Sequence, residues 1–241
     1  MPDLALIEQD QQAHYRKGMS TRPVIVLTGF GPFPGVPVNA TQTLVPHLAK
    51  ASRTLFPTHE IVVDILPTHW VEAPARLEKL VCGGNVVLVL HFGVANDAHG
   101  FQLELVGRNL RTLLQDAAGQ LPPSGRVVED GPDLLATNLP AAHIAARLMG
   151  LDLPCTTSDN AGTYLCNALL YHSLSAARNA PVPHLAGFVH VPANLIGHGP
   201  KCEDPHPSCP LDWRGALSGG LEIITACMDY LANQKPPVKP D

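Results

Sequence analysis

The chain has 241 residues with 16 Lys+Arg, 21 Asp+Glu and a formal net charge of −5, and only 15% of its residues are charged while 45% are apolar. That balance excludes an intrinsically disordered chain and a basic nucleic-acid-binding domain. A chain of this length can bury a large core as one domain, without disulfide or metal staples.

Residues 1–21, rich in Gln and charge, read as a disordered tail without the apolar stretch of a signal peptide. No apolar run is long enough to cross a bilayer, so a cytoplasmic, reduced setting without a membrane partner is expected. The folded region begins at Arg22. Pro23 to Thr28 is a β-branched run that ends in a Gly/Pro-rich turn, Gly29 to Gly35, which reads as a buried strand followed by a functional loop. A helix follows from Asn39, whose side chain can cap it, to Lys50. Ile61 to Leu66 is a second strand, and Pro74 suits the first turn of a helix running to Gly83 and Gly84. Asn85 to Phe92 is apolar enough for a strand buried on both faces.

Phe101 to Leu105 alternates, with Phe101, Leu103 and Leu105 on one face and Gln102 and Glu104 on the other. Residues 107–138 lack periodicity and read as a long excursion. Pro140 to Met149 forms a helix closed by Gly150, followed by a short strand near Cys155 to Thr157. A helix over Gly162 to Arg178, a strand over Ala186 to Val191 and a helix over Trp213 to Asn233 complete the domain, 22–234, before a Pro-rich tail at 235–241. Alternating strands and helices predict an α/β fold: a single-domain three-layer αβα sandwich around a mainly parallel, mixed and twisted sheet.

The six cysteines are Cys82, Cys155, Cys166, Cys202, Cys209 and Cys227. Cys166 falls in the first turns of a predicted helix, where unpaired N–H groups and the positive end of the dipole favour a thiolate, the nucleophilic form. Packing as a small core residue is its competing role; Cys155 and Cys227 fit that role better. His190 ends a strand at the carboxyl edge of a parallel sheet, where α/β folds hold ligands. Glu104, a carboxylate in an apolar strand, needs a partner when buried, either a base or an arginine such as Arg108. A cysteine, a histidine and a carboxylate on three elements are what nucleophilic catalysis requires.

The Gly29 to Gly35 loop carries G-x-G after a strand, which leaves nucleotide binding as an alternative. It lacks the third glycine and any Gly-Lys-Ser/Thr. Phe30 and Phe33 can instead wall a small apolar pocket. His198, Cys202, His206 and Cys209, spaced by four, four and three, leave a zinc-dependent hydrolase as another alternative.

From about Arg22 to Leu231 the chain resembles the pyroglutamyl peptidase I (pyrrolidone-carboxylate peptidase) family. The resemblance is carried by Thr28-Gly-Phe-Gly-Pro-Phe33 with Asn39, His91-Phe-Gly-Val94, Glu104 with Asn109, and Glu129-Asp-Gly-Pro132. Ser158-Asp-Asn-Ala-Gly-Thr-Tyr-Leu-Cys-Asn167 and Gly187-Phe-Val-His-Val-Pro192 complete it, in matching order and spacing. It implies a cysteine peptidase that removes an N-terminal L-pyroglutamyl residue from peptides through a thioester, with no cofactor or metal. Cys166, His190 and Glu104 correspond to nucleophile, base and orienting acid. Phe30 and Phe33 are candidate walls of the substrate pocket, and Asn39 is a further candidate substrate-binding residue. The chain departs from many bacterial members at Val94 to Ala98. Leu114 stands at the spacing of a family arginine, for which Arg111 and Arg126 are candidate substitutes. A homo-oligomer and a catalytically idle relative both stay open.

Overall fold

A computed structural model describes residues 22–82, 84–193, 195 and 211–234; the two expected tails and the His198–Cys209 group lie outside the described residues. Among these residues the strands are β1 (Val24–Phe30), β2 (Glu60–Leu66), β3 (Val86–Ala95), β4 (Phe101–Glu104), β5 (Val106–Arg108), β6 (Leu134–Ala136), β7 (Cys155–Ser158) and β8 (Leu185–Pro192). The helices are α1 (Thr41–Leu55), α2 (Glu72–Val81), α3 (Ala141–Met149), α4 (Leu165–Asn179) and α5 (Trp213–Asn233).

Six strands form one sheet in the order β2-β1-β3-β8-β4-β7. The β2, β1, β3 and β8 strands run parallel, whereas β4 is antiparallel to β8 and carries β7 parallel to itself. The sheet is therefore mixed and mainly parallel, as the alternation of elements predicts. β1 and β8 are buried along their whole lengths. That is the pattern of strands covered on both faces, and it explains their unbroken apolar sequences.

The period of two sends alternate side chains to opposite layers. Ile25, Leu27, Leu88, Leu90, Phe92 and Val189 pack with α1, α3 and α5 through residues such as Leu48, Ile144 and Ile224. Val24, Val26, Val89, Ala186 and Phe188 pack on the other side with α2 and α4 through Leu77, Leu165 and Leu169. Three layers result. The second layer holds a candidate site residue, because His190, two residues after Phe188, also faces α4.

Helix and strand limits differ from the sequence reading in informative ways. Helix α1 runs on to Leu55, past the expected end at Lys50. Helix α4 begins at Leu165 and not at Gly162, because Gly162 takes a left-handed conformation (φ +78°) that no helix continues. The 107–138 excursion contains β6 and the end of β5, an antiparallel pair too short to leave a periodic signature.

Leu27 lies in the middle of β1 with no solvent exposure. Leu27→Ala should therefore cost about 2–5 kcal/mol of unfolding free energy, read as a lower urea midpoint with an unchanged m-value.

Candidate active site

The left-handed turn at Gly162 delivers an extended Tyr164 (φ −99°, ψ −158°), after which α4 starts, so Cys166 is the helix's second residue. Its backbone N–H belongs to the first turn, whose donors have no intrahelical acceptor. The half-buried Cys166 side chain interacts electrostatically with His190 and helps raise its pKa.

His190 and Glu104 meet because β4 reverses direction beside β8. The register pairs Gln102 with His190 and Glu104 with Phe188, so these side chains share the face toward α4. His190 Nδ1–H donates to Glu104 Oε1 at 2.7 Å, with both side chains almost fully buried. A carboxylate can only accept, which fixes the proton on Nδ1 and leaves Nε2 for Cys166. Burial opposes a charge on His190, but the hydrogen bonds and negative charge supplied by Cys166 and Glu104 outweigh it and raise its pKa to about 9. Burial would also raise the Glu104 pKa. The hydrogen bonds from His190 and Gln102, with Ser158 nearby, hold it below the ordinary value instead.

Around this pair the sheet supplies a rigid bed. The Phe188 ring lies 4.7 Å from the His190 ring, and Phe30 lies 5.8 Å from Phe188. Gly93 sits beneath both: a Cβ there would stand 2.6 Å from Phe188 and 3.3 Å from His190, so only glycine lets the rings settle at this depth. One strand over, His91 is fully buried between Thr28 Oγ1 and Ser173 Oγ, each at 2.6 Å. Desolvation drives its pKa down to about 3, so it is a neutral hydrogen-bonding post.

The proposed substrate residues occupy the adjoining loop. Phe30 is buried against Phe188, while the half-buried Phe33 packs on Tyr164 at 6.4 Å. Asn39 is buried; its Nδ2 donates to Gly31 O and its Oδ1 accepts from the Thr41 N–H and hydroxyl. It thus ties the loop to the start of α1, two residues ahead of the helix. The N–H groups of Phe30, Gly31 and Phe33 are taken by Thr41 Oγ1, Leu66 O and Val36 O. Such a loop lacks the free amides of a phosphate cradle.

Two residues of this wall, Trp70 and Asp116, carried no periodic or family-motif signal. Trp70 packs edge-on to Tyr164 at 4.9 Å, and the Tyr164 hydroxyl donates to Gln115 O. Asp116 anchors the loop that holds them by accepting from the N–H groups of Trp70, Ala118 and Gln120. The sequence Asp116-Ala-Ala-Gly119, with Gly119 at φ +76°, is the turn signature that marks this anchor. Arg111 and Arg126 both bind carbonyls of the 127–131 loop, Arg126 also reaching Asp133. Clefts of about 410 and 700 Å³, between α2 and α4 and beside α3, are lined by none of the residues around Cys166. Among the described residues no three His, Cys, Asp or Glu side chains cluster as metal ligands.

A sequence model of the pyroglutamyl peptidase family matches residues 23–219. The chain belongs to that family. It is 32% identical over 201 residues to a pyrrolidone-carboxylate peptidase of Coprothermobacter proteolyticus, covering 83% of this chain and 93% of that one. A second such enzyme, from Oceanobacillus iheyensis, is 28% identical over 205 residues, covering 85% and 98%. The fold matches the crystal structure of pyrrolidone carboxyl peptidase from Pyrococcus furiosus with a TM-score of 0.73 at 24% identity, over 87% of this chain and 99% of the other. As a family member the chain is a cysteine-type peptidase that removes an N-terminal pyroglutamyl residue. Among the described residues no helix is long and apolar enough to cross a membrane.

His190 binds its proton more tightly in the folded chain, at about 9, than at the ordinary value of 6.5. Its contribution to stability is therefore complete below pH 6.5 and is lost as pH rises through 9. Urea unfolding should show stability falling across this window, with the slope reduced in His190→Gln. An equal slope in both proteins would contradict the assignment.

Proposed function

We propose that Cys166, His190 and Glu104 perform the family's hydrolysis as nucleophile, acid–base and orienting carboxylate. The observation that carries this reading is the place of the His190 ring, whose Nδ1–H is held at 2.7 Å by the buried Glu104 carboxylate while Cys166 at the start of α4 acts on it electrostatically. Cys166 Sγ attacks the pyroglutamyl carbonyl carbon, and the tetrahedral oxyanion is met by N–H groups of the first turn of α4, each donor contributing about 3 kcal/mol. The C–N bond then breaks as His190 Nε2–H gives its proton to the departing amine, leaving a thioester on Cys166. Water attacks the thioester, His190 takes up a proton from it, and pyroglutamate leaves with the sulfur restored. Glu104 stays ionised throughout and holds the ring by Nδ1–H.

The lactam of pyroglutamate is neutral and compact, so its recognition calls for flat apolar walls with a few amide contacts, without a carboxylate for a free α-amine. We assign the walls to Phe30 and Phe33, with Asn39 holding the loop that presents them. Tyr164, tilted against Phe33 and two residues before Cys166, joins them. Cys82, Cys155, Cys166 and Cys227 are all free thiols, which suits the reduced cytoplasm, where a catalytic thiol keeps its activity.

Cys166→Ala should lower kcat/KM for a pyroglutamyl-amide reporter by about 10⁴-fold or more while the Tm moves by only a few degrees. Turnover at wild-type rates in that variant would overturn the assignment.

A further inference from the structure

We propose that Gln102 is a positioning residue of the site, its side-chain amide holding Glu104 in the orientation that receives His190 Nδ1–H. The inference rests on the Cys166–His190–Glu104 reading and adds a fourth member to it.

Three observations carry it. Gln102 stands directly opposite His190 in the β4–β8 register and two residues before Glu104, so all three side chains rise from one face. Gln102 Nε2 donates to Glu104 Oε1 at 2.8 Å, the same oxygen that accepts from His190 Nδ1 at 2.7 Å. The other oxygen, Oε2, is buried and has no hydrogen-bond partner among the described residues.

A glutamate's terminal torsion is soft and nearly two-fold, so one hydrogen bond from His190 alone would leave the carboxylate free to turn. Two donors converging on one oxygen position remove that freedom, because a partial turn of the carboxylate lengthens the Gln102 and His190 bonds together. The assignment of the amide follows from chemistry: a carboxylate accepts only, so the nitrogen of Gln102 must face it. Gln102 acts through Glu104, and the other groups facing that carboxylate are His190 on β8 and Ser158 on β7. A hydrogen bond to the ionised form also favours ionisation, so the same contact keeps Glu104 charged as pH falls.

The test compares Gln102→Met, which keeps length and removes the donor, with the isosteric Gln102→Glu and with Glu104→Gln, using a pyroglutamyl-amide reporter. Gln102→Met should lower kcat about fivefold, the factor carried by a hydrogen bond of ordinary net strength, with KM unchanged and the acid limb of kcat/KM displaced upward. Gln102→Glu sets two carboxyl groups at one site, so the pair takes up a proton at higher pH and the acid limb moves up by about one unit. A merely structural glutamine would move neither limb. If Glu104→Gln is impaired while both Gln102 variants keep wild-type kcat and acid limb, the Gln102 assignment is overturned and the triad stands. If Glu104→Gln itself is unimpaired, the triad reading falls, and this assignment falls with it. Should Gln102→Met fail to fold, the Gln102→Glu profile alone decides.

Discussion

The site depends on one buried contact, the hydrogen bond from His190 to Glu104 across the antiparallel β4–β8 pair. Two ionisable side chains removed from water together are costly unless each has the other as a partner in good geometry. Eighty-six residues separate them in the chain, so only the sheet can bring them together. In an all-parallel sheet β4 would run the other way. Its reversal pairs Gln102 with His190 and sets Glu104 one diagonal step away, within reach of the ring. The shared face, the Phe188 ring bed and the bare Gly93 then follow from that register.

The neighbouring histidine shows what this contact supplies. His91 and His190 lie on adjacent strands, two residues apart in register, and both pack on Phe188. His91 is held by two hydroxyls, which cannot compensate a buried charge, and its pKa falls to about 3. His190 is held by a carboxylate and a cysteine, and its pKa rises to about 9. Burial is severe for both. The difference lies in the partners, and it separates a neutral post from a ring that can carry and deliver a proton.

Much of this was legible in the sequence, for reasons that can be named. The unbroken apolar runs of β1, β3 and β8 reflect burial on both faces, and the alternation at Phe101 to Leu105 put Gln102 and Glu104 on one side before any register was known. Cys166 was readable as a helix-start residue, although the helix begins three residues later than its glycine suggested. Strand direction was not readable: β4 carries no local mark that it runs antiparallel to β8, because that is decided by how the chain crosses the sheet. The loop that buttresses Trp70 and Tyr164 was equally hidden. It is held by the single carboxylate of Asp116 binding backbone N–H groups, an arrangement without periodicity. Asn39 was visible as a helix-start residue, but the cap position falls on Ala40 and Asn39 sits one residue earlier, bonded to Thr41 and, through a loop that folds back against it, to Gly31 O.

The central claim is that the reacting sulfur belongs to Cys166 and is served by His190. Inactivation with a pyroglutamyl chloromethyl ketone, followed by peptide mapping, tests it most directly, because the lactam brings the reactive carbon to whichever nucleophile the site presents. The account predicts one equivalent of label on Cys166, appearing in step with loss of activity and much slower in His190→Gln. Label on another of the six cysteines, or inactivation with Cys166 unmodified, would contradict it.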